Sequence, residues 1–240
     1  MSHLDKCIVL DLDETLVHTF DGRNEVMASE KGYEFLKNNV MLGGRLYRLE
    51  FENHAYLWSV KRPYTDMFIR YVMDNFGKVV VWSAGTSEYV HKIVDWLFTE
   101  SYPDMIFSRD FCSKVPSAKD PSKDTYVKPI IKLGMQPELK GVLRLDNTLF
   151  IDDNVVSTSY NSSNAITIPR YHPEIRLESI INERDDALKR IVEWCDSGAL
   201  KQDEDVRKIN KSSTAVFSPQ MRTGHNILLS ETYASQNIYV

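Results

Sequence analysis

The sequence predicts an α/β fold of three layers, Rossmann-like, with a central, mostly parallel sheet and an inserted β-hairpin. Three observations predict it. Short apolar runs alternate with segments of helical period, the pattern of parallel strands covered by helices. Acidic or hydroxyl residues follow several of these runs at once, where open α/β sheets carry their ligands. The 240 residues suffice for one sizeable core, and 42% hydrophobic with 26% charged residues is the composition of an ordinary globule.

The elements follow in order. Cys7–Leu10 is a first strand that ends at Asp11. Residues 22–62 interrupt the alternation: Leu46–Phe51 and Ala55–Val60 flank "ENH" and predict the inserted hairpin. A helix should start at Pro63, keep Phe68, Tyr71, Val72 and Phe76 on one face, and stop at Gly77. Lys78–Trp82 is the next strand, followed by a helix with Val90, Ile93, Val94, Leu97 and Phe98 at helical spacing. Met105–Phe107, Thr148–Ile151 and Ala165–Ile168 complete the strands, and Leu188, Ile191, Val192 and Cys195 mark a last helix. From Ser197 the chain turns polar without a sustained period, so a domain over 1–196 and a tail over 197–240 are expected.

Composition narrows the class. A net charge of -5 argues against direct binding of nucleic acid, which calls for a basic face. Three widely spaced cysteines, Cys7, Cys112 and Cys195, without a Cys-x-x-Cys pair, fit a reducing compartment better than a disulfide framework or a zinc site. The apolar run at the N-terminus lasts only from Cys7 to Leu10, too short for a signal peptide, and no stretch has the length of a membrane span. An intracellular protein is expected.

The stretch "CIVLDLDETLVH" carries the chemistry. Asp11 and Asp13 leave a buried strand two positions apart, so both carboxylates can face one small volume. Like charges so close raise a pKa or demand a cation, and hard, oxygen-seeking Mg2+ suits them. A calcium loop does not fit, since Leu16 and Gly22 stand where that loop needs Gly and Glu. "TLFIDDN" places Asp152 and Asp153 behind another apolar run; Asp146 and Asn147 in "VLRLDNT" are a weaker pair because Arg144 breaks that run. Ser83, ending the strand to Trp82, and Ala84 beside it offer a hydroxyl and backbone N–H groups to an anion ahead of a helix. Lys128 in "TYVKPI" precedes a proline that should open a short helix. A cysteine phosphatase would need Cys-x5-Arg, whereas Asp13, Ala118 and Lys201 stand at that distance from the three cysteines.

Asp-x-Asp-x-Thr, a Ser, a Lys and a paired acid, each near a strand end, resemble in order the motifs of the haloacid dehalogenase superfamily. "VLDLDETLVH", "KRPYTDMF", "VVVWSAGTSEY", "YVKPI" and "IDDNVVSTSYNSSNAITIP" resemble its small C-terminal-domain phosphatases, the NLI-interacting-factor-like family, over about residues 5–196. The chain departs from that pattern at Ser83, where Thr is more usual, at Asp153, where the family often has Asn, and over 112–124. The resemblance implies a Mg2+-dependent phosphoserine/phosphothreonine phosphatase of the nucleus or cytoplasm that acts on phosphoproteins, including peptides like the RNA polymerase II C-terminal domain. It implies Asp11 as nucleophile, Asp13 as general acid and base, and Thr15, Ser83, Ala84 and Lys128 around the phosphate. The metal would rest on Asp11, Asp13, Asp152 and Asp153. Tyr47, Phe51, Tyr56 and Trp58 of the hairpin would floor a substrate groove or form a small satellite core. A small-molecule phosphomonoesterase and a non-catalytic phosphopeptide scaffold are the alternative readings; the oligomeric state stays open.

Overall fold

Strand β1 (His3–Leu10) sits at the centre of the sheet because both of its faces are apolar: Cys7 and Val9 point one way, Ile8 and Leu10 the other, and all four are buried. The structure is a computed structural model that describes residues 3–21, 44–52, 55–118, 120–175, 177–200 and 204–217. Most of the predicted insertion, 22–43, and the end of the predicted tail, 218–240, lie outside the described residues.

After β1 come β2 (Val17–Asp21), β3 (Leu46–Glu50) and β4 (Tyr56–Lys61), then helix α1 (Thr65–Asn75) and strand β5 (Phe76–Trp82). Next are α2 (Ser87–Leu97), β6 (Met105–Phe107), β7 (Ser113–Pro116) and β8 (Asp124–Val127). The chain continues through β9 (Thr148–Asp152), β10 (Ala165–Thr167), α3 (Leu177–Ile181), α4 (Ala187–Trp194) and α5 (Ser213–Phe217). The main sheet has the order β10-β9-β1-β5-β6, and its pairings are all parallel. The hairpin β3–β4 forms as expected, and β2, which the sequence did not reveal, extends it to three antiparallel strands in the order β2-β4-β3.

The alternation along β1 divides the core. Ile8, Leu10, Val79, Val81, Leu149 and Ile151 face α1, α2 and α4, which contribute Phe68, Val72, Val90, Ile93, Leu188 and Ile191. On the other face Val9, Val80, Trp82 and Phe150 meet Ile130 and Leu133 of a short 3-10 helix (Ile130–Met135), with Leu139 and Leu143 from the loop beyond it.

Two expected boundaries move. Pro63 stands in the turn before α1 rather than at its first position, with Tyr64 at the helix entry in left-handed backbone (φ 67°). Gly77 does not end α1. The helix passes directly into β5, where a Cβ on Gly77 would lie 2.1 Å from the Leu4 carbonyl oxygen. Glycine therefore admits the close approach of β1. The polar stretch beyond Ser197 also carries structure: Leu200, Val206 and Val216 are buried in the main core.

Candidate active site

Parallel register brings three strand ends level. Leu10 pairs with Val81 on one side and Ile151 on the other. Asp11 thereby stands between the end of β9, at Asp152, and Ser83, the first residue after β5. The Asp11 amide donates to the Ile151 carbonyl at 3.0 Å, so the sheet ladder fixes the backbone at the point where the side chain turns to the ligand space.

Asp11 is buried, and its two carboxylate oxygens are held apart by different donors. Lys128 Nζ donates to Oδ1 at 2.5 Å and Thr15 Oγ1 to Oδ2 at 3.1 Å. The same ammonium donates to Asp152 Oδ2 at 2.8 Å, and Ser157 Oγ reaches that oxygen at 2.6 Å. The Asp153 amide donates to Thr15 Oγ1 at 3.1 Å, which ties the turn after β9 to the turn after β1. Carboxylate oxygens of Asp11, Asp152 and Asp153 lie within 4.8 Å of one another. The sequence-predicted residues Asp11, Thr15, Lys128, Asp152 and Asp153 thus meet in one place.

The electrostatics follow from the count of charges. One ammonium holds the buried pair Asp11 and Asp152, while the half-buried Asp153 beside them has only Arg170, at 3.9 Å, as an ion-pair partner among the described residues. Burial pushes the Asp11 carboxyl well above its ordinary range; Lys128 opposes the shift, and the charges of Asp152 and Asp13 add to it. Burial also disfavours the charged form of Lys128, yet the charges of Asp11 and Asp152 prevail and hold its pKa above the usual lysine range. Burial, then the charge of Asp152, raise Asp153 to about 6. An all-oxygen cluster with surplus negative charge fits a hard divalent cation, which would lie against Asp11, Asp152 and Asp153.

Asp13 turns away from this cluster. Its Oδ2 accepts from Ser83 Oγ at 3.1 Å and its Oδ1 from the Tyr89 hydroxyl. Burial raises the Asp13 pKa, with the two hydrogen bonds opposing. Tyr89, raised by burial and then by the Asp13 charge, stays a donor. Its hydroxyl also meets Thr19 of β2 at 2.7 Å. Ser83 is fully buried; its Oγ accepts the Gly85 N–H at 2.9 Å while donating to Asp13. The Ala84 carbonyl accepts from Arg109 Nε at 2.6 Å.

Lys128 sits at the end of β8 on a turn set by its surroundings. Its amide donates to Ser157 O at 2.7 Å, its carbonyl accepts from Asn161 Nδ2 at 3.2 Å, and Asn161 Oδ1 accepts from Ile130 N at 2.8 Å. Sequence reasoning missed Tyr89, Ser157 and Asn161, which position the acids and the lysine. The weaker acid pair stands elsewhere: Asn147 binds the Asp5 and Val142 carbonyls, and Asp146 pairs with Arg144.

The four hairpin aromatics divide. Trp58 is buried in a satellite core with Val60, Tyr171 and Ile180 and offers no groove surface. Tyr56 packs at the margin of that core, under the Arg48 guanidinium at 4.5 Å. Tyr47 stacks on Trp96 at 5.0 Å, and Tyr47 and Phe51 are half-buried against the main core.

Comparison with known proteins places this architecture. The chain is 28% identical over 163 residues to a Dictyostelium discoideum protein named "Probable C-terminal domain small phosphatase", covering 68% of this chain and 43% of that one. It is 28% identical over 165 residues to nuclear envelope morphology protein 1 of Saccharomyces cerevisiae, covering 68% and 34%. To the human carboxy-terminal domain RNA polymerase II polypeptide A small phosphatase 2 it is 23% identical over 177 residues, covering 73% and 54%. The chain therefore spans roughly a third to a half of these relatives' lengths. Among solved structures, that of Fcp1, an essential RNA polymerase II C-terminal-domain phosphatase, shares the fold with a TM-score of 0.51 at 16% identity, over 90% of this chain and 55% of that one. The model of the NLI interacting factor-like phosphatase family matches residues 6–207, and the chain belongs to that family.

Proposed function

We propose that this chain is a Mg2+-dependent phosphoprotein phosphatase that works through a phosphoryl group carried on Asp11. The observation that carries the proposal is the buried Asp11 carboxylate, held by Thr15 and Lys128 within 4.8 Å of the Asp152 and Asp153 oxygens, with Asp13 held separately beside it. An Asp11 oxygen attacks phosphorus in line and the bond to the seryl or threonyl oxygen breaks. Asp13, its pKa raised by burial, delivers the proton to the departing oxygen. In the second half Asp13 takes a proton from water, the water oxygen joins phosphorus, and the bond to Asp11 breaks to release phosphate. Lys128 holds a non-bridging oxygen, and Ser83 joins it when its hydroxyl turns from Asp13 to the phosphate; one such fixed donor is typically worth about a hundredfold in rate or more. Asp11, Asp152 and Asp153, with the Asp13 main-chain carbonyl, would hold a magnesium ion, whose charge would offset the approach of phosphate to three carboxylates.

The substrate class follows from the cover over the site. Among the described residues the hairpin adds only a three-stranded sheet, not a second domain closing over the carboxylates. A peptide chain can reach such a site, so phosphoserine or phosphothreonine proteins are favoured over small metabolites. The related RNA polymerase phosphatases suggest peptides like that polymerase's C-terminal domain, and a nuclear or cytoplasmic place of action. No helix among the described residues is long and apolar enough to cross a membrane.

The test is turnover of p-nitrophenyl phosphate and of phosphoserine peptides with and without Mg2+. Asp11→Asn should lower magnesium-dependent phosphate release by at least on the order of a thousandfold while leaving the fold intact. Undiminished turnover by this variant would remove Asp11 from the nucleophile role. Sugar phosphates turned over faster than the peptides would shift the substrate to a small molecule.

A further inference from the structure

Beside the acidic cluster stands a second set of ligating side chains. Glu14, His18 and His172 each bring one ligand atom into a group no more than 4.8 Å across. They come from three places: the turn after β1, strand β2, and the loop after β10. His18 Nδ1 is 2.8 Å from Glu14 Oε1, and His172 Nδ1 is 3.3 Å from Glu14 Oε2. The two rings meet edge to face with centroids 4.4 Å apart. A His–Glu hydrogen bond explains either contact alone. Two imidazoles turning the same nitrogen to one carboxylate is a narrower arrangement: His18, at hydrogen-bond distance from Oε1, would move back by about half an ångström to share an ion with the others, and His172 already stands at ligand spacing from Oε2. Ligand atoms about 2.0–2.1 Å from a tetrahedral zinc stand about 3.4 Å from one another, within a few tenths of an ångström of the second contact.

We propose that Glu14, His18 and His172 form a zinc site, separate from the magnesium site, with its fourth position open to solvent. Two imidazoles and one carboxylate suit a borderline cation such as zinc, whereas the oxygen-only set of Asp11, Asp152 and Asp153 suits a hard one. Burial favours the same assignment: His18 is buried, Glu14 is half-buried, and His172 is exposed, so an ion arriving from water meets a prebuilt floor. Among the described residues Arg170 is the one other side chain on the Glu14 carboxylate; its Nε stands 3.5 Å from Oε2 and 3.9 Å from Asp153 Oδ2. Its side chain is 66% exposed, and it can withdraw from Glu14 at little cost. Zinc would add a second tie where the Tyr171 amide already donates to the Glu14 carbonyl at 2.7 Å. The site thus clips the loop after β10 to the turn that carries Asp13, whatever substrate the enzyme takes.

The full chain, stripped of metal and held in millimolar MgCl2 to occupy the oxygen cluster, is titrated with ZnCl2 in a calorimeter. One zinc ion per chain is expected, with affinity lowered about tenfold or more by His172→Ala and by His18→Asn. Asp153→Asn should leave zinc affinity unchanged. Co2+ in place of zinc should give the visible absorption of a tetrahedral nitrogen-bearing site, lost in His172→Ala. Zinc should raise the melting temperature of the wild type and not of that variant. His172 is exposed, so its variant should fold, and melting in the absence of zinc checks this. Absent binding, binding unaltered in both histidine variants, or binding lost in Asp153→Asn would each overturn the proposal.

Discussion

At the residue scale, Asp11 and Asp13 are two positions apart yet live in different surroundings. Asp11 shares the Lys128 ammonium with Asp152, whereas Asp13 faces two hydroxyls, Ser83 and Tyr89. The separation gives one carboxylate the surroundings of a nucleophile and the other those of a proton carrier. Tyr89→Phe tests the second. The tyrosine hydroxyl stabilises ionised Asp13, so its removal should raise the Asp13 pKa further. Whichever limb of the pH–rate profile Asp13 sets should then move to higher pH, with turnover lower by about tenfold. A profile that keeps its limbs while only the rate falls would make Tyr89 a packing residue. The acids were legible in the sequence because carboxylates behind buried strands are costly without a ligand. Tyr89 was not legible: it lies between Ser87 and Val90 at the start of an amphipathic helix, where an aromatic residue reads as core. Only the docking of α2 beside β3 and β6 aims its hydroxyl at Asp13 and Thr19.

At the scale of elements, the strands legible in the sequence are those of the parallel sheet. Buried on both faces, they read as unbroken apolar runs such as Val79–Trp82 and Leu149–Ile151. β2 and the β7–β8 pair escaped because "VHTFD", "SKVP" and "DTYV" carry few apolar residues. Their strand character comes from the partner alongside, which is non-local information. Gly77 shows the same limit at one position: glycine after a helical run reads as a stop, yet it lies inside β5 against the β1 backbone. Gly77→Ala should force β1 and β5 apart near Leu4, since backbone cannot yield as a flexible side chain can. The expected cost is about 3 kcal/mol, the upper part of the range for overpacking, measured as a lower urea midpoint. Because Gly77 lies at the amino end of β5, remote from Ser83 at its carboxyl end, turnover per folded molecule should hold.

At the scale of the molecule, the core continues past the last element that the sequence made plain. Beyond Ser197 the residues are mostly polar, and isolated apolar residues in such a run carry no period, which is why a tail was expected there. The structure instead returns Leu200, Val206 and Val216 to the main core, and the last two are nearly as buried as Ile191 of α4. The Val206 amide donates to the Asp146 carbonyl at 2.8 Å, which anchors the segment close before β9. Val216 lies in α5, which packs on α4 and stands beyond the 6–207 span of the family match. Removing two methyl groups from a closed site costs about 2 kcal/mol. Val206→Ala and Val216→Ala should each lose about that much in urea unfolding. A segment that only trailed from the domain would show no change in either variant. Losses confined to Val206→Ala would end the fold at the limit of the family match and leave α5 as an appendage. Losses in both, with unchanged turnover of p-nitrophenyl phosphate per folded molecule, would make residues 204–217 part of the scaffold that holds the catalytic strands.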